Sequence, residues 1–333
     1  MLVAGIAAAL VVALVLVNGG GGSSGGTPQS PTSASAPAKD AQQPRRPQAQ
    51  RVTLRYRGLG SLSAAVQDAA AASLGGDRIA LLGGLGASDT SVGTITRLSA
   101  GRVQGTSQLP AVQHDAQAAA VAGAVFVFGG GDLQSYSHIL RYDTTTGSVT
   151  VAGQLPDLQS DVAVTSLGGT AYIVGGYNGS RYLDTILAWR AGGPVRVVGH
   201  LPAGVRYAAV APGAGHIIIA GGSLPGGATD AIYSFDPAAG TVQRIGRLPR
   251  PLTHAGGAAL GSRVYVVGGR GDALGTAMSA IYAIDPSSGR VQRAGVLPGP
   301  LSDAAVVSTG QAIIVAGGHS DTATQAAVGE LVP

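Results

Sequence analysis

A Gly-Gly doublet recurs along this chain at Gly83-Gly84, Gly129-Gly130, Gly175-Gly176, Gly221-Gly222, Gly268-Gly269 and Gly317-Gly318, with a spacing of 46 to 49 residues. Each doublet closes a short apolar run: IALLGG, VFVFGG, YIVGG, IIIAGG, VYVVGG and IIVAGG. Runs without hydrophobic/polar alternation read as strands covered on both faces. A unit of this size cannot bury both faces alone, so successive units must stack. A period of roughly 50 residues built from short strands is the signature of a β-propeller.

The rest of each unit fits that reading. Before the apolar strand lies an Ala/Gly-rich one, such as Asp115–Val121 or His254–Leu260, whose small side chains suit the crowded axis where blades converge. After the doublet come a polar loop and a third strand such as IYSFDP (Ile232–Pro237) or IYAIDP (Ile281–Pro286). The words DPAAG, DPSSG and DTTTG then reverse the chain. A fourth strand runs into Leu-Pro, as in Thr241–Pro249. Four strands in each of six units predict an all-β, six-bladed propeller spanning 51–333. The last unit stops after its third strand, and Arg51–Gly60 resembles the fourth strand Arg290–Pro298. The N-terminal strand is therefore expected to complete the last blade, which removes an open sheet edge.

Over Arg51–Pro333 the chain resembles the kelch-repeat family. The matching words are the Gly-Gly strand end (Gly221-Gly222), the Tyr-x-x-Asp-Pro end (Tyr233–Pro237) and Leu-Pro (Leu201-Pro202). One departure is plain: kelch repeats carry a Trp in the fourth strand, whereas the single Trp here, Trp189, sits in a third strand. The resemblance brings sugar-acid epimerases and a copper oxidase acting on galactose into view. The oxidase's Tyr-Cys cofactor has no counterpart in a chain with 0 Cys.

Residues 1–50 are a different material. Leu2–Val17 is uncharged and apolar or small throughout, just sufficient for a bilayer crossing of ~20 residues with its flanks. With no basic residue before it and no cleavage-like site close after it, residues 1–18 read as an uncleaved transmembrane anchor, with a cleaved, secretory signal as the alternative. Residues 19–50, rich in Gly, Ser, Pro and Gln, cannot bury enough surface to fold and read as a disordered linker. A tethered propeller makes most sense on the extracytoplasmic side of the cell membrane. The near-exclusive use of Arg over Lys, Lys39 excepted, fits a GC-rich bacterial genome.

Composition excludes several functions. Without cysteine there are no disulfides, thiolate metal sites or cysteine nucleophiles. From Arg51 onward 18 basic and 16 acidic residues leave only +2, with no basic stripe for phosphates, so no nucleic-acid partner is expected. No pair of Tyr or His stands at metal-binding spacing, and neither a metal nor another cofactor is expected.

Loops that lead into the innermost strands and loops that leave the Gly-Gly strands emerge on one face, around the channel mouth, where pockets form. Counting back from each doublet gives one column, Asp68, Asp115, Asp161, Tyr207, His254 and Asp303, preceded by another, Gln67, His114, Ser160, Arg206, Thr253 and Ser302. The loops after Gly-Gly add Tyr177, Asn178, Arg181, Asp230, Arg270, Asp272, His319 and Asp321. The regular Asp column has a purely structural explanation as loop caps or inter-blade ties. His114, Arg206, Tyr207 and His254 break the columns and point more sharply to a ligand. The candidate binding ring is His114, Asp115, Asp161, Arg206, Tyr207, His254, Asp303, Tyr177, Arg270 and His319. Arg270-Gly271-Asp272, the sequon Asn178-Gly179-Ser180 and the Gly-rich Gly83–Ser88 are common loop words without the context their motifs need. The expected function is a membrane-tethered, non-catalytic module that binds an envelope protein or a carbohydrate on this face. An epimerase-like enzyme acting on a sugar or sugar acid there is the alternative.

Overall fold

Six antiparallel sheets of four strands each form the blades of the computed structural model, which describes residues 53–333, and two short two-stranded ribbons lie in the loops. The expected anchor (1–18), the expected linker (19–50) and the first two residues of the expected propeller lie outside the described residues. Blade 1 runs outward from the axis through Ala70–Gly75, Arg78–Leu82, Thr94–Ser99 and Arg102–Gln108. The next four blades repeat that order, with innermost strands His114–Val121, Ala163–Leu167, Ala209–Gly213 and Gly256–Leu260. Blade 6 is completed across the chain ends: Arg55–Ser61 pairs antiparallel with Ala327–Val332, outside Ile313–Ala316 and Ala305–Ser308. Arg57 and Glu330 form an ion pair on that closing seam.

The core is six apolar clusters, one between each pair of neighbouring blades, including blades 6 and 1. The second strand of each blade is buried along its length, as in Ile217–Ala220 and Val264–Val267, because sheets cover both its faces. Small residues on the inner strands are a steric necessity at blade 5. A Cβ on Gly257 would lie 2.5 Å from the backbone N of Val210, and one on Gly256 2.2 Å from Val306. Trp189 fills the seam between blades 2 and 3, edge-on to Phe126 and Phe128 at 4.8 and 5.6 Å. Gly153, at the bulge of blade 2's outer strand, lies beside its indole nitrogen.

The Gly-Gly doublets are the joints between blades. The N–H of each second glycine donates to a carbonyl in the segment that leads into the next blade: Gly84 to Gln113, Gly130 to Gln159, Gly176 to Val205, Gly222 to Leu252, Gly269 to Leu301, and Gly318 to Val66. These bonds are 2.8 to 2.9 Å long, and the last returns to blade 1, closing the circle. The first glycine has φ between 60° and 67°, and a Cβ there would stand 2.1 to 2.5 Å from the same carbonyl oxygen. The leucine of each Leu-Pro is buried beside this joint, as with Leu109, Leu155, Leu248 and Leu297. Asp143, Asp236 and Asp285 accept two backbone N–H bonds each in the hairpin turns of the opposite face.

Candidate functional site

At the start of each innermost strand the chain turns through a left-handed residue. Asp68, Asp115, Asp161, Tyr207, His254 and Asp303 all have φ between 52° and 58°. Asp and His tolerate this region better than most residues, whereas Tyr207 holds it at a cost. The turn is fixed from both sides. The residue before it forms a bridge to the loop after Gly-Gly, pairing Ser160 with Tyr177, Arg206 with Ser223, Thr253 with Arg270 and Ser302 with His319. The turned residue donates its N–H to the equivalent carbonyl one blade back: Asp68 to Asp303, Asp161 to Asp115, Tyr207 to Asp161, and Asp303 to His254, at 2.9 to 3.1 Å. The regular column thus has a backbone cause. Its carboxyls do not cap N–H groups, which corrects the loop-cap explanation, because the left-handed turn sends the side chains over the axis.

There the six side chains form a connected polar layer. The Tyr207 hydroxyl reaches from blade 4 to blade 2 and donates to Asp115 Oδ2 at 3.1 Å, while accepting from Arg206 Nη2 at 3.2 Å. Arg206 Nε pairs with the carboxylate of Asp161, which is 2% exposed. Burial, followed by the neighbouring carboxyls, holds the Asp68 and Asp115 carboxyls well above the usual range. Asp68 sits beside Asp303 and Asp115 beside Asp161, and burial among other carboxyls favours the protonated form of both. Asp303 is raised by burial, with Ser302 donating to it and Arg270 nearby opposing the rise. Burial, helped by nearby Asp115, Asp161 and Asp68, keeps Tyr207 protonated.

His254 lies face to face with Tyr207, ring centroids 3.7 Å apart and 24° between planes. Its Nε2 is 3.0 Å from Arg270 Nη2, and because arginine only donates, Nε2 accepts and the ring is neutral. Burial, then Arg270 and Arg206, push its pKa down to about 2. Its Nδ1 has no hydrogen-bond partner among the described residues. Behind this layer a channel of about 310 Å³ runs along the innermost strands, walled mainly by Ala, Val and Gly.

Above the layer, side chains remain open to a ligand. Arg206, 24% exposed along its side chain, has its guanidinium 4.9, 5.1 and 5.0 Å from the ring centres of Tyr177, Tyr182 and Tyr207. Tyr177 and Tyr182 stand edge to face at 5.9 Å. On the other flank His114 Nδ1 lies 2.8 Å from Ser91 Oγ, which donates to Asp132 at 2.7 Å. That assigns the imidazole proton to Nδ1 and leaves Nε2 facing Asp115 Oδ2 at 3.5 Å. Burial lowers the His114 pKa.

The structure brings together nine of the ten candidate residues as ring or inner rim. His319 enters through its bridge to Ser302. Of the other predicted loop residues, Asp230 turns to the periphery, pairing with Arg244 and Arg247 of an outer strand. Asn178 closes its own loop by accepting from the N–H groups of Ser180 and Arg181. Asp272 and Asp321 tie neighbouring loops, accepting from Ala228 and Ala277. Gln67, Thr253 and Ser302 are buried rather than exposed at the mouth. Sequence reasoning missed Tyr182, Ser91 and Asp132. Tyr182 was findable as the second Tyr of its loop, but Ser91 and Asp132 follow no repeat.

A closed circle of six four-stranded blades, joined through Gly-Gly and lined at one mouth by turned polar residues, defines a six-bladed propeller with a single-ended polar face. The family profile of the Kelch motif matches residues 160–189, which cover three strands of blade 3. The chain thus carries a recognisable Kelch motif in one of its six blades and has the fold of a six-bladed propeller. The solved structure of YjhT shares its fold, with a TM-score of 0.69 at 16% identity, covering 81% of this chain and 95% of that one. No curated protein matches the sequence.

Proposed function

We propose that the chain is a non-catalytic binding module that holds a carbohydrate on the channel-mouth face. The observation that carries this reading is the partly exposed cluster of Arg206 with Tyr177 and Tyr182, above a floor whose side chains bond chiefly to one another. Tyrosine faces stack on the C–H surfaces of sugars, and the guanidinium's unused N–H groups donate to hydroxyls. Leu2–Val17 and the polar tract after it would tether the propeller on the extracytoplasmic side of the membrane, facing surface or cell-wall saccharides. A second reading, an epimerase-like enzyme, draws on the neutral His114 that sits between the Ser91–Asp132 pair and Asp115.

The test is a thermal-shift panel of saccharides, sugar acids and cell-wall fragments on the full chain. A ligand of the native state raises the midpoint. The reading predicts a hit that weakens at least tenfold in both Tyr177→Ala and Arg206→Lys, with the saccharide recovered unchanged. Recovery of an altered sugar, abolished by His114→Gln with binding retained, would establish the enzyme instead. A panel without hits, alongside capture of an envelope protein through the same residues, would replace the carbohydrate.

A further inference from the structure

The polar layer does more than floor a ligand site. It lies across the end of the channel: Asp161 is 2% exposed, the side chains of Asp303 and His254 are each 10% exposed, and Tyr207 reaches past blade 3 to Asp115 in blade 2. Beyond it the walls are mainly Ala, Val and Gly, with Ser73, Gln117, Thr165, Ser166 and Ser308 among them. Four carboxyls converge, and the cations that face them are Arg206, from blade 4, and Arg270, from the loop of blade 5. The remaining titratable neighbours are the neutral His254, the phenol of Tyr207, His114 with Asp132 behind it, and His319 beside Asp303. Asp161 and Asp303 have an arginine each, whereas Asp68 and Asp115 are surrounded by other carboxyls.

We propose that the ring of Asp68, Asp115, Asp161, Tyr207, His254 and Asp303 is a proton-controlled plug, which seals the channel while two protons are shared among its four carboxyls and opens when they are lost. With both protons present, two carboxylates match two arginines and every contact in the ring is attractive. Without them, four carboxylates face the same two arginines in a site shielded from water. Like charges at that separation cannot all remain ionised in place. The ring's own amide circle can loosen with them, because the blades are held separately by the Gly-Gly joints. His114, partly exposed and 3.5 Å from Asp115, gives the proton a route to solvent.

The consequence is read from the ring's own amides. In the full chain, the carboxyl signals of the aspartates report ring titration, and hydrogen exchange reports protection of the Asp68, Asp161, Tyr207 and Asp303 N–H groups. Between about pH 4 and pH 9, after correction for intrinsic exchange, protection of these four amides is expected to fall at least tenfold as the carboxyls titrate. The amides of Gly84, Gly222 and Gly318 are expected to stay constant. In Asp68→Asn/Asp115→Asn, which keeps the donors and removes the charge, ring protection is expected to stay level; constant Gly-Gly protection there establishes that the variant is folded. Asp68→Asn alone serves if the double variant does not fold. Constant ring protection in the unmodified chain, or an equal fall in the Asn variant, overturns the plug.

Discussion

Replacing Gly221 by alanine tests whether the doublets act as joints rather than as loop punctuation. A Cβ there would lie 2.3 Å from the carbonyl oxygen of Leu252, the acceptor of the Gly222 N–H bond at 2.8 Å, and its backbone sits at φ 66°. Three costs add. The left-handed backbone costs a side chain about 1–2 kcal/mol, overpacking costs about 1–3 kcal/mol, and the displaced hydrogen bond costs about 1 kcal/mol. Gly261→Ala is the control, since Gly261 has φ 58° but nothing within 4 Å of an added Cβ. It carries only the backbone cost. The difference, about 2–4 kcal/mol from the same sources, corresponds to roughly 3–7 °C in a chain of this size. Differential scanning calorimetry of the two variants side by side measures it. Midpoints within about 2 °C of one another would refute the reasoning.

Asp68→Asn/Asp115→Asn also changes the pH profile of stability. Carboxyls raised in the folded state contribute fully below the ordinary carboxylate pKa, and that contribution is lost as pH climbs toward the raised values; the melting temperature of the Asn variant should therefore gain on the unmodified chain across that window. Tyr207→Phe removes a hydroxyl that accepts from Arg206 and donates to Asp115, and urea unfolding should show a loss of about 1–3 kcal/mol. Trp189→Ala opens a cavity between blades 2 and 3, with an expected loss of about 3–5 kcal/mol by the same assay. Arg206→Ala strands the buried Asp161 carboxylate and should cost about 3–5 kcal/mol, while Asp161→Asn in the same background should restore part of it.

The sequence was most legible where geometry repeats. Six doublets disclosed six blades because the joint needs the same two glycines each time, and the likeness of Arg51–Gly60 to an outer strand disclosed the closing strand at Arg55–Ser61. The ring column was legible for the same reason, since every blade must turn left-handed at that point. The meaning of the column was not. That Asp68 pairs with Asp303 while Tyr207 reaches Asp115 depends on distances across the axis, which no spacing along the chain encodes. Asp230 was misplaced because it ends a mouth loop in sequence yet begins a strand whose neighbours are outer-strand arginines. Ser91 and Asp132 came from loops of different blades and carried no periodic signal. Trp189 looked like a departure from the family and proved to be a core residue, packed against Phe126 and Phe128 in the seam of blades 2 and 3.

The most direct test of the account is where a ligand leaves its footprint. Hydrogen exchange on the full chain, with and without the saccharide that gives the largest thermal shift, locates it. The account predicts slowed exchange in the mouth-face loops around Tyr177–Tyr182, Arg206-Tyr207 and Arg270–Asp272, with the opposite hairpins at Asp143, Asp236 and Asp285 unchanged. Protection confined to those hairpins or to the outer strands would contradict it.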